Sequence, residues 1–307
     1  VRIFQGRDAQ GKRRYLNKTI RGTKKDADKY LSKTLTAMST GTYVEASTLS
    51  VDDYLDRWLQ GAAKGRVRDR TFDDYSDLLK RYVRPALGKV RLCDLRPLDI
   101  QSLYTDMQGS GLSARTVRYT HAVLNSALKQ AVKWHMLFRN PCDGVELPRM
   151  VRREMQALSP EQASRFLAIA GESEQGVVFS FALASGMRPE EYLGLKWSDI
   201  DLEKGTATVR RTLVWRKGGG WYFGEPKTSR SRRTVPFPAS LVRALITHRR
   251  IQAEARLKLG KDYQNNDLVF AASEGTPHNL GNLTQRHFRP ILTKAGTAKD
   301  GEEQSEI

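Results

Sequence analysis

Ala182-Leu183-Ala184-Ser185-Gly186-Met187-Arg188-Pro189-Glu190-Glu191-Tyr192-Leu193-Gly194-Leu195-Lys196-Trp197-Ser198-Asp199-Ile200-Asp201 is the stretch on which the reading of this chain turns. An apolar helix runs into a glycine turn, presents one arginine, and restarts at Pro189, a favoured first helical position. The residue before a proline is pushed out of the helical region, so Arg188 is expected at the break, pointing away from helix packing. Glu191, three residues on, lies within reach of the guanidinium and is placed to hold it still. A second marker follows in Glu225-Pro226-Lys227-Thr228-Ser229-Arg230-Ser231-Arg232-Arg233-Thr234-Val235-Pro236-Phe237-Pro238, a basic turn leading into a strand.

The rest of the chain divides around these two stretches. Residues 1–22 read as a β-hairpin: Val1–Gln5 is strand-like, Gly6–Gly11 has turn chemistry, and Lys12–Arg21 returns. Thr23 is a helix cap with Asp26 three residues later, and Gly41 is a stop. From Leu49 to Pro148 the pattern is helical, with pieces at Val51–Leu59, at Thr71–Val83 ending at the Arg84-Pro85 break, at Leu98–Met107, and at Ala114–Trp134 capped by Ser113. Val145–Gln156 is a linker. Ser159-Pro160-Glu161-Gln162 opens the next part with a capping box, followed by helices at Gly176–Ser185 and Pro189–Leu195. A three-stranded sheet is expected from Thr206–Trp215, Trp221–Phe223 and Arg233–Val235, then helices at Leu241–Leu257 and Leu283–Ala295. The fold class is therefore mixed α+β and multi-domain. A small N-terminal β-sheet plus helix (1–45) precedes an all-α helical domain (49–148) and an α/β domain with a three-stranded antiparallel sheet (157–307).

Composition narrows the function. A length of 307 residues leaves room for two or three domains with a sizeable core. The mean hydropathy of −0.56, with no apolar run long enough to span a bilayer, predicts a soluble protein away from membranes. No secretory signal is visible, and the start at Val1 is what removal of an upstream segment would leave. Cys93 and Cys142 are the two cysteines, without a CxxC or a Cys/His cluster, so reduced thiols in a cytosolic protein are expected. The net charge is +18. Residues 1–50 carry 11 Lys/Arg against 4 Asp/Glu, residues 51–150 carry 17 against 12, and the remainder 24 against 18. An excess spread over every part fits a protein that lies along a polyanion.

The two marker stretches resemble the first catalytic motif and the hairpin lysine of the tyrosine recombinase (phage integrase) family. Leu87-Gly88-Lys89-Val90-Arg91-Leu92-Cys93-Asp94-Leu95 followed by Leu98-Asp99-Ile100 is similar to that family's helical, SAM-like core-binding domain, and Arg139-Asn140-Pro141-Cys142 to the segment that ends it. Asp267-Leu268-Val269-Phe270 with Gly275-Thr276-Pro277 is a further landmark. The basic sheet-plus-helix at the start resembles an arm-site DNA-binding domain.

That resemblance implies a site-specific recombinase of a phage or integrative element. It would cut and rejoin DNA through a 3′-phosphotyrosyl intermediate, clamping the duplex between residues 49–148 and 157 onward. Arg188 would grip the non-bridging oxygens of the scissile phosphate, since its planar fork is always charged. Lys227 would protonate the leaving 5′ oxygen as general acid, in a cationic field from Arg230, Arg232 and Arg233. Those three arginines read equally as plain phosphate contacts. For DNA binding, the expected residues are Lys12, Arg13, Arg14 and Lys18 on the hairpin, and Arg115, Arg118, Lys129 and Lys133 on the long helix. Each of the four on the long helix also reads as a solvated surface position. Trp58, Trp134 and Trp197 fall on apolar stripes and are expected in the core, whereas Trp215 and Trp221 have no functional assignment.

The implied partners are duplex attachment-site DNA, three further copies of the chain on that DNA, and an accessory directionality factor, in the bacterial cytoplasm. No motif for a metal or other cofactor is present, so none is expected. The family's His-x-x-Arg and its nucleophilic tyrosine have no match: no arginine stands three places after His121, His135, His248, His278 or His287, and the last tyrosine is Tyr263. Thr297–Ile307 is acidic and aperiodic where the second motif belongs, so the chain is expected to stop before it. A fragment that only binds attachment sites is therefore the alternative reading, and an unrelated helix-turn-helix regulator a more distant one.

Overall fold

The computed structural model describes residues 1–7, 10–39, 48–151, 157–228 and 231–296. The chain divides into two compact units, Val1–Arg152 and Arg153–Ile307. The division falls inside the segment read as a linker, whose residues 152–156 lie outside the described ones, as do Gly41, Arg230 and residues 297–307.

In the first unit, β1 (Arg2–Arg7) and β2 (Arg13–Asn17) pair antiparallel with an irregularity between Phe4 and Gly6. Thr23 then caps α1 (Lys24–Ser39), its backbone N–H donating to Asp26 Oδ2 at 2.9 Å. Ser50 caps α2 (Val51–Trp58) through its hydroxyl, which accepts the Asp53 N–H at 3.1 Å. The next helix, α3 (Asp69–Leu78), does not end at Arg84-Pro85 as the sequence suggested. It runs through a widened π turn at Leu79–Val83 into a further helical turn, Arg84–Leu87. A proline breaks a helix by clashing with the carbonyl four residues back, and a widened turn moves that carbonyl away. The same device recurs at Thr284–Phe288 before Pro290.

α4 (Pro97–Gly109) and α5 (Ala114–Lys133) complete the helical core, α5 capped by Ser113, which accepts the Thr116 N–H at 3.2 Å. Tyr54, Leu55, Leu79, Ile100, Tyr104, Leu124 and Leu128 are fully buried together. Tyr54 satisfies its hydroxyl on the Ala127 carbonyl, as a buried phenol must. Trp58 is core, as expected; Trp134 is not, being 38 % exposed. It stands one residue past the last turn of α5, where the buried stripe has ended, and meets Tyr54 edge-on at 6.3 Å. Neither cysteine forms a disulfide, and burial pushes the Cys142 thiol up to about 12.

The second unit begins with the expected reciprocal cap. Ser159 N–H donates to Gln162 Oε1 at 2.9 Å and Gln162 N–H to Ser159 Oγ at 3.2 Å, opening α6 (Pro160–Gly171). α7 (Gly176–Ser185) stops at Gly186, whose φ of +58° is the left-handed stop that glycine takes without strain. α8 is only Pro189–Tyr192, shorter than the helix expected to Leu195.

The sheet differs from the expectation. β3 (Ile200–Asp201), β4 (Thr206–Thr208) and β7 (Thr234–Pro236) form the antiparallel three-stranded sheet, in that order. β5 (Thr212–Trp215) and β6 (Trp221–Gly224) form a separate hairpin, with Trp215 opposite Trp221. The run 206–215 is therefore two strands instead of one. Val209 still donates to the Arg233 carbonyl at 2.8 Å, but Arg211 turns its guanidinium onto buried Asp199, and the ladder is interrupted there.

α9 (Ala239–Leu259), α10 (Leu280–Leu283) and α11 (Arg289–Lys294) follow. The landmark at Asp267–Phe270 pairs back on the segment after α8, with Val269 N–H donating to the Leu195 carbonyl at 2.9 Å. Phe181 and Phe270, 5.2 Å apart, sit at the centre of this unit's core.

Candidate active site

The break between α7 and α8 fixes one arginine. Arg188 holds an extended backbone (φ −68°, ψ 149°), as a residue before proline must, and its side chain is 70 % exposed. The first turn of α8 brings Glu191 beneath it. Glu191 is 2 % exposed, and its carboxylate accepts the Arg188 backbone N–H at 3.0 Å and Nη1 of the Arg188 side chain at 3.0 Å. Glu191 thus lies within hydrogen-bond reach of the Arg188 guanidinium, three residues on as read from the sequence.

A third group arrives from the far side of the sheet. Arg233, just ahead of β7, donates Nη2 to Glu191 Oε2 at 2.9 Å and Nη1 to Oε1 at 3.2 Å. Burial by itself would raise the Glu191 carboxyl, but the bonds from Arg233 and from both N–H groups of Arg188 outweigh it and hold the pKa below the ordinary carboxylate value. The site is thus an ionised carboxylate with two guanidinium groups on it, one covered and one open to solvent. Sequence reading placed Arg233 among field-setting or phosphate-contacting arginines and missed this pairing, because Arg233 stands 42 positions after Glu191 and only the sheet brings them together.

Lys227 is exposed in the turn between β6 and β7, next to buried Pro226. The turn is tied by Ser231 N–H donating to the Thr228 carbonyl at 3.0 Å and by a Thr228–Ser231 hydroxyl pair at 3.0 Å. Two of the arginines expected to supply its cationic field carry carboxylates of their own: Arg232 with Glu225 at 3.4 Å, and Arg233 with Glu191. Arg230 lies outside the described residues. Tyr192 is 6 % exposed, and burial raises its hydroxyl pKa.

A second buried carboxylate was not foreseen. Asp199, 5 % exposed, accepts the Lys196 backbone N–H at 2.9 Å and pairs with Arg211, while Arg210 Nε stands 3.6 Å away. It pins the start of the β5–β6 hairpin, from which the Lys227 turn continues.

In the first unit, Arg115, Arg118, Lys129 and Lys133 all lie on α5. At ~100° per residue they fall within about 60° of one another, on the side opposite Val117, Leu124, Ala127 and Leu128. Arg115, Lys129 and Lys133 are exposed. Arg118 is half-buried and donates to the Pro148 carbonyl at 2.8 Å, which gives it a structural task at the edge of this face. On the hairpin, Lys12, Arg13, Arg14 and Lys18 are exposed, with Arg13 opposite Arg7 in the register. Among the described residues no group of three or more His, Cys, Asp or Glu is placed to hold a metal ion, and no helix is long and apolar enough to cross a membrane.

Comparison with known proteins bears on the family and the fold. The phage integrase family matches residues 156–305, and the N-terminal SAM-like domain of phage integrases matches residues 50–108. The XerC-like tyrosine recombinase of Caldanaerobacter subterraneus is 29 % identical over 96 % of this chain and 80 % of its own length. An integrase of Streptomyces ambofaciens is 30 % identical over 94 % of this chain and 74 % of its own. Among solved structures, the Tn1549 transposon integrase in complex with transposon right end DNA superposes with a TM-score of 0.69 at 20 % identity, over 84 % of this chain and 81 % of that one. A lambda integrase tetramer bound to a Holliday junction gives 0.59 at 17 % identity, over 96 % and 79 %. The mixed α+β, multi-domain fold is that of these integrases, and the chain belongs to the phage integrase family of site-specific tyrosine recombinases.

Proposed function

We propose that this recombinase cuts and rejoins duplex DNA at attachment sites through a 3′-phosphotyrosyl intermediate. A tyrosine hydroxyl attacks the scissile phosphorus and releases its proton, the bond to the 5′ oxygen breaks as that oxygen takes up a proton, and the reverse attack by a 5′ hydroxyl reseals the new junction and returns the proton to the tyrosine. Because the phosphodiester energy is kept in the protein link, no nucleotide cofactor is needed. Arg188 neutralises the charge that builds on the non-bridging oxygens, Glu191 holds it, and Lys227 hands a proton to the leaving 5′ oxygen. The observation that carries this reading is Arg188 itself, 70 % exposed yet anchored at 3.0 Å to a buried carboxylate. Fixed donors aimed at developing charge are what transition-state stabilisation requires.

DNA is the proposed partner along the α5 basic face and at the N-terminal hairpin, where Lys12, Arg13, Arg14 and Lys18 act as arm-site contacts. Four copies on two duplexes would carry out exchange, an arrangement supported by the lambda integrase tetramer solved on a Holliday junction. An accessory directionality factor belongs to the same proposal.

The test is covalent-adduct formation on nicked duplexes carrying candidate attachment sites, using this chain and the longest natural reading frame that contains it. An adduct whose rate falls about 10²–10³-fold with Arg188→Ala supports the assignment. Binding without any adduct from either form would leave a protein that occupies its sites and does not cut. An adduct unaffected by Arg188→Ala and Lys227→Ala would overturn both roles.

A further inference from the structure

Glu191 poses an electrostatic problem for the arginine it holds. A carboxylate that fully satisfies a guanidinium also cancels it, and a cancelled guanidinium has little to offer a phosphate. We propose that Arg233 is a positioning residue that carries the charge of Glu191, so that Arg188 is oriented by the carboxylate without being neutralised by it; this rests on the recombinase reading above.

The division of hydrogen bonds supports this. Arg233 meets the carboxylate with two N–H groups, one on each oxygen, at 2.9 and 3.2 Å. This is the forked geometry in which arginine–carboxylate pairs are strongest. Arg188 gives its side chain to one oxygen only, through Nη1, and anchors the other with its backbone N–H. Exposure follows the same division: the Arg233 side chain is 33 % exposed and that of Arg188 70 %. The cluster of two guanidinium groups and one carboxylate sums to one positive charge, and the open fork belongs to Arg188. Without Arg233, a carboxylate 2 % exposed would have to be compensated by Arg188 alone, because a buried anion is not left unpaired. Arg233 also donates to the Ser231 carbonyl at 3.2 Å, so one side chain ties the turn that follows Lys227 to the anchor of Arg188. A plain phosphate contact would point these N–H groups outward.

The experiment compares Arg233→Gln, Arg233→Lys, Glu191→Gln and Arg233→Gln/Glu191→Gln in the longest natural reading frame, by adduct rate and duplex affinity. Arg233→Gln is expected to slow adduct formation about 10- to 100-fold, against no more than about fivefold in affinity, the loss of one phosphate contact. Adding Glu191→Gln should recover at least about tenfold, since the neutral amide no longer claims Arg188. The Arg233→Gln rate should also rise as pH falls and Glu191 protonates, a slope absent from the double variant. Arg233→Lys, which keeps the charge and removes the fork, guards against misfolding and should stay within about tenfold of the parent. A double variant no faster than Arg233→Gln, or Arg233→Gln at the parental rate, would overturn the proposal.

If the parent forms no adduct, the recombinase reading fails separately, and the inference is decided by affinity alone in the 307-residue chain. Arg188→Ala must then weaken duplex binding in the parent and leave it unchanged in the Arg233→Gln background. Equal losses in both backgrounds would refute it.

Discussion

Asp199→Asn tests whether a second buried ion pair holds the frame of the site. The substitution keeps shape and the acceptor for the Lys196 N–H at 2.9 Å, and removes only the charge. Arg211, with a side chain 22 % exposed, loses its partner, whereas Arg210 at 61 % is already solvated. Removing one member of a buried pair typically costs about 3–5 kcal/mol. Because Arg211 keeps some access to water, and exposed pairs such as that of Arg210 contribute about 0–1 kcal/mol, the expected loss is about 2–3 kcal/mol. At ~2–4 °C per kcal/mol for a unit of this size, the transition should fall by about 5–10 °C. Thermal unfolding of the whole chain, followed by near-UV circular dichroism, reads this directly, because the tryptophans flanking the β5–β6 turn report the hairpin. Asp199→Asn/Arg211→Met should regain most of the loss by replacing the orphaned cation with apolar volume. A shift below about 2 °C, or a double variant less stable than the single, would refute the argument that Asp199 and Arg211 hold the hairpin by charge.

Three further outcomes follow from other parts of the structure. Gly275 has φ +80°, and a Cβ there would stand 2.2 Å from the Gln264 carbonyl oxygen, so Gly275→Ala should cost at least about 2 kcal/mol in urea unfolding, and a neutral result would show that this turn relaxes freely. His278 is pushed down to about 4 by burial and by the neighbouring His287, and its Nε2 has no hydrogen-bond partner. The unfolded chain then binds the extra proton first, so stability should fall as pH drops from about 6.5 towards 4, and His278→Gln should flatten that slope in a pH series of denaturation curves. Arg115→Ala, Lys129→Ala and Lys133→Ala should each lower the slope of log affinity against log salt by about 0.9, with an unchanged slope meaning that the α5 face does not meet phosphates.

The elements set by local chemistry were legible from sequence. Caps at Thr23, Ser113 and Ser159 appear where a hydroxyl precedes an apolar periodic run, and each accepts a backbone N–H of the first turn. Arg188 was legible for the same reason, since Gly186 and Pro189 dictate a break whatever lies around it. What stayed hidden depended on distant partners. Arg233 reaches Glu191 through the β4–β7 pairing, and nothing local to Arg233 distinguishes it from Arg232, which is exposed against Glu225. The run Thr206–Trp215 reads as one strand because Thr206, Thr208, Val209, Thr212, Val214 and Trp215 are β-formers, and only the pull of Asp199 on Arg211 shows where it divides. Pro85 signalled a helix end by its own sterics, but a widened turn upstream absorbs the clash, and sequence periodicity does not register a π turn.

The two buried carboxylates suggest why a basic chain keeps acids in its interior at all. With a net charge of +18, its surface arginines are attracted to DNA but repelled by each other, and an unanchored arginine samples many rotamers. Glu191 and Asp199 each sit under a pair of arginines in which one member is more covered than the other: Arg233 beneath Arg188, and Arg211 beneath Arg210. The covered partner balances the acid, and the exposed partner is held near a fixed point with its charge unspent. Such an arrangement lowers the ordering cost of gripping a phosphate without lowering the charge that grips it, which a lone arginine or a simple one-to-one ion pair does not achieve. Both acids lie within one short span, Glu191 to Asp199. That span carries the end of α8 into the first strand of the sheet, and the covered arginines come from strands and turns that pack back onto it. The β4–β7 pairing brings Arg233 onto Glu191, so on the proposed reading substitutions that loosen β7 should disturb the anchor of Arg188 before they unfold the unit.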